Sequence, residues 1–165
     1  MILRTERLLF RAHETGDEAA FIAMHSDPDV RKYVGGAAWP VEKAATRFRE
    51  QYLGKPEKTY GLWATVLVAD GSYVGMCGLS GSSTDARLAY YIAKPHWGRG
   101  LATEAARAFV DFGFRTLELP RIRADADRGN VASERILRRL RFDHIDDEAL
   151  PTGRVISHYA LVQGH

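Results

Sequence analysis

Two β-type runs, Tyr60 to Val68 and Tyr73 to Leu79, are separated only by Ala69-Asp70-Gly71-Ser72, and this spacing constrains the fold more than any other feature. Asp-Gly between runs rich in β-branched and aromatic residues is a strong two-residue hairpin signal, because the favoured turn needs positive φ at its centre. An antiparallel pair is therefore expected. A polar turn, Ser80 to Asp85, leads into a third run, Arg87 to Ala93, which stops at Lys94-Pro95 because proline has no N–H for a ladder.

The remaining elements surround that sheet. Arg4 to Arg11 reads as a first strand, and Asp17 to about His25 as a helix that the "HSDPDV" turn stops. Val41 to Tyr52 is a weakly amphipathic helix after the loop Gly35 to Pro40. Ala102 to Arg115 spaces Ala102, Ala105, Phe109, Phe112 and Gly113 for one buried helical face. Arg121 to Asp127 alternates Ile122, Ala124 and Ala126 against charged residues, as a half-buried strand does. Asn130 to Leu140 is a short helix, and Phe142 to Ile145 and Val155 to Val162 close the chain as strands. The pattern predicts one mixed α/β (α+β) domain over residues 1–165, with more strands than helices and no internal repeat.

Composition narrows the function classes. A chain of 165 residues buries roughly two thirds of its unfolded surface. With 45% hydrophobic and 27% charged residues it is neither disordered nor collagen-like. Cys77 is the only cysteine, which excludes an intrachain disulfide and a multi-cysteine metal cage and fits a reducing cytoplasm; no metal is expected. The apolar N-terminal stretches are too short for a signal segment, and no run approaches a membrane span, so a soluble protein without membrane partners is expected. Net charge is +2, but Lys94 to Phe142 carries 11 Lys/Arg against 6 Asp/Glu, so that segment is +5 and the rest −3. A local cationic region suits an anionic ligand, and a solvated basic helix face gives the same count.

The chemistry concentrates in Ala89 to Ala105, a strand, a glycine-containing turn and a helix. Backbone N–H groups at a helix N-terminus lack intrahelical partners and lie at the positive end of the dipole, which makes an anion site. Gly98 and Gly100 remove the Cβ atoms that would hold a phosphate away, and Ala102 is the next smallest choice. A Rossmann turn would need glycine three after Gly100, where Thr103 stands, and no Walker-type Gly-Lys-Ser/Thr occurs.

About 30 residues on, "RIRADADRGNVASERILRRLRF" reads as a strand followed by Asn130-x-x-Ser133 at the start of another helix. "PHWGRGLATEA" together with "NVASERIL" resembles the GNAT N-acetyltransferase superfamily. The pair is most similar to its RimJ/RimL-type branch, the ribosomal-protein N-terminal acetyltransferases and their relatives. "LRTERLLFR", "DPDV" and the Asp-Gly hairpin agree in the same order.

That resemblance implies a mostly antiparallel sheet of about seven strands flanked by about four helices and splayed at a central parallel pair. It implies acetyl-CoA as cosubstrate and direct acetyl transfer to a primary amine, a protein N-terminus or a small molecule, in a ternary complex. By resemblance the backbone amides of Gly98, Gly100, Ala102 and Thr103 hold the pyrophosphate, and Arg99 reaches the phosphates. Backbone groups of Tyr91, Ile92 and Ala93 meet the pantetheine arm where the sheet splays, with Asn130 beside it. Ser133 is the candidate general acid near the thioester sulfur, because the usual tyrosine position is Leu137. Trp97 at the head of the turn is usual in the branch, whereas Arg141-Phe142 replaces the usual Gly-Phe.

Other readings of the same residues stay open. Asn130 is also a good helix N-cap. Arg135, Arg138 and Arg139 read as solvated charges, and Cys77, Trp63 and Phe109 as core. No carboxylate lies between Arg87 and Lys94, so the general base is unassigned among His25, Asp27, Asp29, His96 and a water chain. Val30 to Pro40, with Tyr33 and Trp39, is expected to wall the acceptor pocket. The protein is expected as a monomer or homodimer that binds no nucleic acid. The alternative is a non-catalytic acyl-CoA-binding or protein/RNA-interaction module that uses the same cationic segment.

Overall fold

A computed structural model describes residues 2–55 and 59–164. In chain order the elements are β1 (Leu3–Arg4), β2 (Leu8–Arg11), α1 (Glu18–His25), α2 (Pro28–Arg31), α3 (Val41–Arg47), β3 (Gly61–Leu67), β4 (Tyr73–Gly81), β5 (Ala86–Ile92), α4 (Leu101–Arg115), β6 (Arg121–Asp127), α5 (Val131–Arg139), β7 (Asp143–Ala149) and β8 (Val155–Val162). The Asp-Gly hairpin forms as expected: Asp70 accepts from the Ser72 amide, Gly71 has φ +74°, and β3 pairs antiparallel with β4.

The eight strands lie in the order β1-β2-β3-β4-β5-β6-β8-β7, antiparallel at every junction except β5–β6. A parallel pair needs a crossover, and α4 supplies it. That pair is short. Its register runs only from Ala86 opposite Ile122 to Leu88 opposite Ala124, after which the strands separate.

Helices α4 and α5 cover one face over Phe10, Leu79, Leu88, Ile122 and Tyr159, while α1 and the segment around Phe48 cover the other over Val66, Tyr73 and Met76. Packing of α4 is close enough that a Cβ on Gly113 would stand 2.7 Å from Ile122 Cδ1. Trp63, Phe109 and Cys77 are core, and burial pushes the Cys77 thiol far above its usual range, so it is an inert apolar filler. Among the described residues no helix is long and apolar enough to cross a membrane.

Four expectations change. Arg4 to Arg11 is a hairpin, β1 and β2, because Glu104 of α4 receives the Thr5 hydroxyl at 2.6 Å and the Arg7 amide at 3.1 Å and so shapes a turn at residues 5–7. That hairpin brings the strand count to eight instead of about seven. "HSDPDV" contains a short helix, α2, with Asp27 as its N-cap, which makes five helices instead of about four. The helix over Val41 to Tyr52 widens at Phe48 into a π turn, in which the Leu53 amide bonds back to the Phe48 carbonyl at 2.8 Å. The last hairpin is longer than expected, since β7 continues past Ile145 to Ala149 with every residue exposed, held by its ladder to β8.

Candidate active site

Strand β5 leads through a 3-10 turn, Lys94–His96, to Trp97, whose indole N–H donates to the Ile92 carbonyl at 2.7 Å and so folds the turn back on its own strand. Gly98 and Gly100 both have φ +74°, a second reason for glycine besides the absence of Cβ. Gly100 is the N-cap of α4 and brings no side chain to cap it. Among the described residues the amides of Gly98, Gly100, Ala102 and Thr103 find no backbone acceptor, so four donors converge at the positive end of a 15-residue helix. Arg7, bonded to Glu104, also donates to the Arg99 carbonyl at 2.9 Å and ties the turn to the β1–β2 hairpin.

On the neighbouring strand the backbone is partly committed. The Ala93 amide donates to Val74 at 2.9 Å, so the sheet uses it. Antiparallel residues alternate the side to which their backbone groups point, so Tyr91 also faces β4 while Tyr90 and Ile92 face the gap toward β6. Of the three residues expected to meet a pantetheine arm, Ile92 therefore carries the N–H best placed for it.

Asn130 caps α5: its Oδ1 accepts from the Ser133 amide at 3.1 Å, leaving only Nδ2 for a ligand. Ser133 Oγ stands 2.7 Å from the hydroxyl of Tyr90, a residue to which the sequence reading gave no role. Leu137 is fully buried in the core beneath α5. Arg138 pairs with Glu134 at the surface, but Arg135 and Arg139 line the cavity described next, against the expectation of purely solvated charges. Arg99 does not line it. Its guanidinium lies instead 3.2 Å from His96 Nδ1.

Two cavities meet in the gap between β5 and β6. The first, about 550 Å³, runs from the Gly98–Gly100 turn along α4 and α5. The second, about 490 Å³, is walled by β5, β6 and the start of β8. They share Tyr33, Val34, Tyr90, Tyr91, Asn130 and Ser133, so a molecule in each would touch the other at these residues.

Carboxylates reach the second cavity from β6. Asp125 pairs with Arg87 at 2.7 Å and with His158 at 2.6 Å, and Asp127 pairs with Arg154 at 2.8 Å. Arg154 also donates to the Tyr33 carbonyl at 3.0 Å and bolts the 32–40 loop to the end of β6. Hydrogen bonds and the Arg154 charge hold Asp127 below the usual carboxylate range despite its burial. A search for carboxylates along β5 alone misses these two, because they come from the parallel neighbour.

The earlier candidates for the base fare differently. His25 is buried and stacked on Trp39 at 4.6 Å, lines neither cavity, and burial lowers its pKa to about 4. Asp27 is spent as the cap of α2, and Asp29 pairs with Lys94, which holds it below its ordinary value. His96 does line the first cavity, with its pKa lowered by burial and by Arg99. Trp39 is not a wall residue. It is packed against His25 and the Arg31 guanidinium, which lies 4.4 Å from its ring centre, while Tyr33 lines both cavities.

Comparison with known proteins agrees with this geometry. The acetyltransferase (GNAT) domain profile matches residues 7–143. Protein YkkB of Bacillus subtilis (strain 168) is 34% identical over 145 residues, 84% of this chain and 83% of YkkB. An acetyltransferase (GNAT family) from Bacillus anthracis superposes with a TM-score of 0.88 over 100% of both chains at 23% identity. The spermidine N-acetyltransferase of Vibrio cholerae, solved with CoA and spermine, gives a TM-score of 0.77 over 96% of this chain and 97% of that one at 15% identity, a likeness of fold. On the profile match and the relationship to YkkB, the chain belongs to the GNAT family of acetyltransferases and is an acyltransferase.

Proposed function

We propose that the chain is a cytoplasmic, RimJ/RimL-type N-acetyltransferase that moves acetyl from acetyl-CoA to a primary α-amine, on a protein N-terminus or a small molecule, in a ternary complex. The meeting of two cavities at Tyr33, Tyr90, Tyr91, Asn130 and Ser133 carries this reading, since direct transfer needs donor and acceptor side by side. Acetyl-CoA supplies an activated acyl carbon on a good leaving thiol. The chain supplies the rest. Amides of Gly98, Gly100, Ala102 and Thr103 hold the pyrophosphate, and Arg135 and Arg139 meet the remaining phosphate charge. The Ile92 N–H and Asn130 Nδ2 bind the pantetheine arm, and the Ser133 hydroxyl faces the sulfur.

The preference for an α-amine follows from the charges of the second cavity. Asp125 and Asp127 are each already paired with an arginine, so both carboxylates of that wall are committed rather than free to take an amine proton. An amine near pKa ~8 presents a useful neutral fraction at neutral pH without help, whereas a lysine near ~10.4 does not. Steady-state assay of the purified protein with acetyl-CoA against amino acids, peptides and alkylamines, followed by thiol release, tests this. The expected result is a kcat/KM that falls as amine pKa rises. Binding of acetyl-CoA with no amine accelerating thiol release would leave a coenzyme-binding module and overturn the proposal.

A further inference from the structure

We infer that Tyr90 is a positioning residue for the departing thiol, holding the Ser133 hydroxyl from strand β5 so that the Ser133 proton is turned to the sulfur. This rests on the acetyl-transfer reading above. The two oxygens are 2.7 Å apart and both side chains line the shared gap. A serine inside a helix usually bonds back to a carbonyl one turn earlier; among the described residues the Ser133 hydroxyl makes its hydrogen bond to Tyr90 instead. Tyr90 takes that role from another element.

The direction of the bond follows from the partners on each side. Among the described residues the Tyr90 hydroxyl approaches, besides Ser133 Oγ, only the Ser133 carbonyl, at 3.5 Å, too long for a good bond. Its hydrogen is therefore best used on Oγ, which leaves the hydrogen of Ser133 for the cavity. Burial pushes the Tyr90 phenol far above its usual range, and the titratable groups facing it, Cys77 and Tyr159, are themselves held protonated by burial. Tyr90 is thus a permanent donor at working pH and never a base. Leu137, on the same helix as Ser133, is buried and offers no hydroxyl.

During transfer the neutral amine nitrogen bonds to the acetyl carbon and gives up one proton to solvent, while the carbon–sulfur bond breaks and its electron pair goes to sulfur. Ser133 and Tyr90 keep their protons, and the thiolate leaves hydrogen-bonded and takes a proton from solvent afterwards. A neutral hydrogen bond of this kind is worth roughly fivefold to tenfold in rate.

The test uses Tyr90→Phe, Ser133→Ala and the double variant of the full chain. Calorimetry at pH 7 and pH 9 compares CoA, which carries the thiol, with acetyl-CoA, which does not. In wild type CoA should gain on acetyl-CoA as pH rises, because the thiolate is favoured; each single variant should lose roughly fivefold of that gain, and the double variant no more than either. In parallel, kcat of Tyr90→Phe should fall roughly fivefold to tenfold with KM for acetyl-CoA unchanged. Wild-type CoA behaviour in Tyr90→Phe, or losses that multiply in the double variant, would overturn this inference alone. Failure of the wild-type chain to bind acetyl-CoA would overturn the acetyl-transfer reading and this one with it.

Discussion

Asn130 caps α5 with Oδ1 and, in the proposed reading, binds the pantetheine arm with Nδ2, while Ser133 one turn on lines the same cavity. The two should therefore separate on substitution. Asn130→Ala should weaken CoA binding more than it slows chemistry and cost about 1 kcal/mol of stability as a lost cap, read by calorimetry and thermal melting. Ser133→Ala should lower kcat by roughly fivefold to tenfold with little change in acetyl-CoA affinity, read in single-turnover assays. Two other residues set a pH limit. Burial lowers both His13 and His25 to about 4, and ring nitrogens of each lack partners. An unfolded histidine binds its proton near pH ~6.5. Between there and pH 4 the unfolded chain thus holds more protons, and stability falls as pH falls, by about 1.4 kcal/mol per pH unit per histidine. Chemical-denaturation midpoints should drop as pH falls below ~6.5, and His25→Phe should remove a large part of that slope; an unchanged slope would show His25 protonated in the folded state. The spacing Asn130-x-x-Ser133 is local and could be read directly, whereas Tyr90 looks like core because it shares a strand face with Leu88 and Ile92. The side-chain directions of Arg99 and Trp39 are not local signals either, since they follow from His96 and from His25 with Arg31.

At the scale of elements, the β1–β2 hairpin acts as a brace for the turn before α4. Glu104 in the first turn of α4 favours the helix dipole and receives Thr5 and Arg7, and Arg7 in turn holds the Arg99 carbonyl. Glu104→Ala should cost about 1–2 kcal/mol, at the low end for charged bonds because Arg7 is half exposed. It should also weaken CoA binding, since the turn loses its brace. Melting and calorimetry on the same preparation check both, and an intact CoA affinity would show that the turn holds itself. Gly100→Val is the less informative probe, because a β-branched residue at φ +74° strains the N-cap as well as blocking the phosphate site. The hairpin was invisible in the sequence because its turn, Thr5-Glu6-Arg7, has no Gly, Pro or Asn and is shaped by a carboxylate 97 or more positions away. By contrast β6 and β8 match their expected bounds, since alternation and flanking turns are local signals. β7 ran longer than its hydrophobicity suggested, because a ladder to β8 carries acidic residues that face solvent on both sides.

Across the whole molecule, α4 and three residues of parallel ladder join β1–β5 to β6–β8. Everything beyond Leu88 on that seam lacks strand-to-strand bonding, although Asp127–Arg154–Tyr33 spans its far end as a clasp. The proposed pantetheine arm would lie in the gap. Bound at 100 times its dissociation constant, CoA should add about 2.7 kcal/mol, roughly 5–10 °C in Tm for a chain of this size. Arg154→Ala should lower the melting temperature without ligand and increase that gain, because the coenzyme would then replace a missing closure; an unchanged gain would show the clasp irrelevant to the seam. The parallel pair's shortness also predicts where the fold yields first. Amide hydrogens of Tyr90 and Ile92, pointing into the gap, should exchange through small sub-global openings with far less protection than Tyr91, their neighbour locked to β4. The coenzyme would then serve as a missing rung between two half-sheets, tying their splayed ends together where the shared core beneath α4 and α5 does not reach.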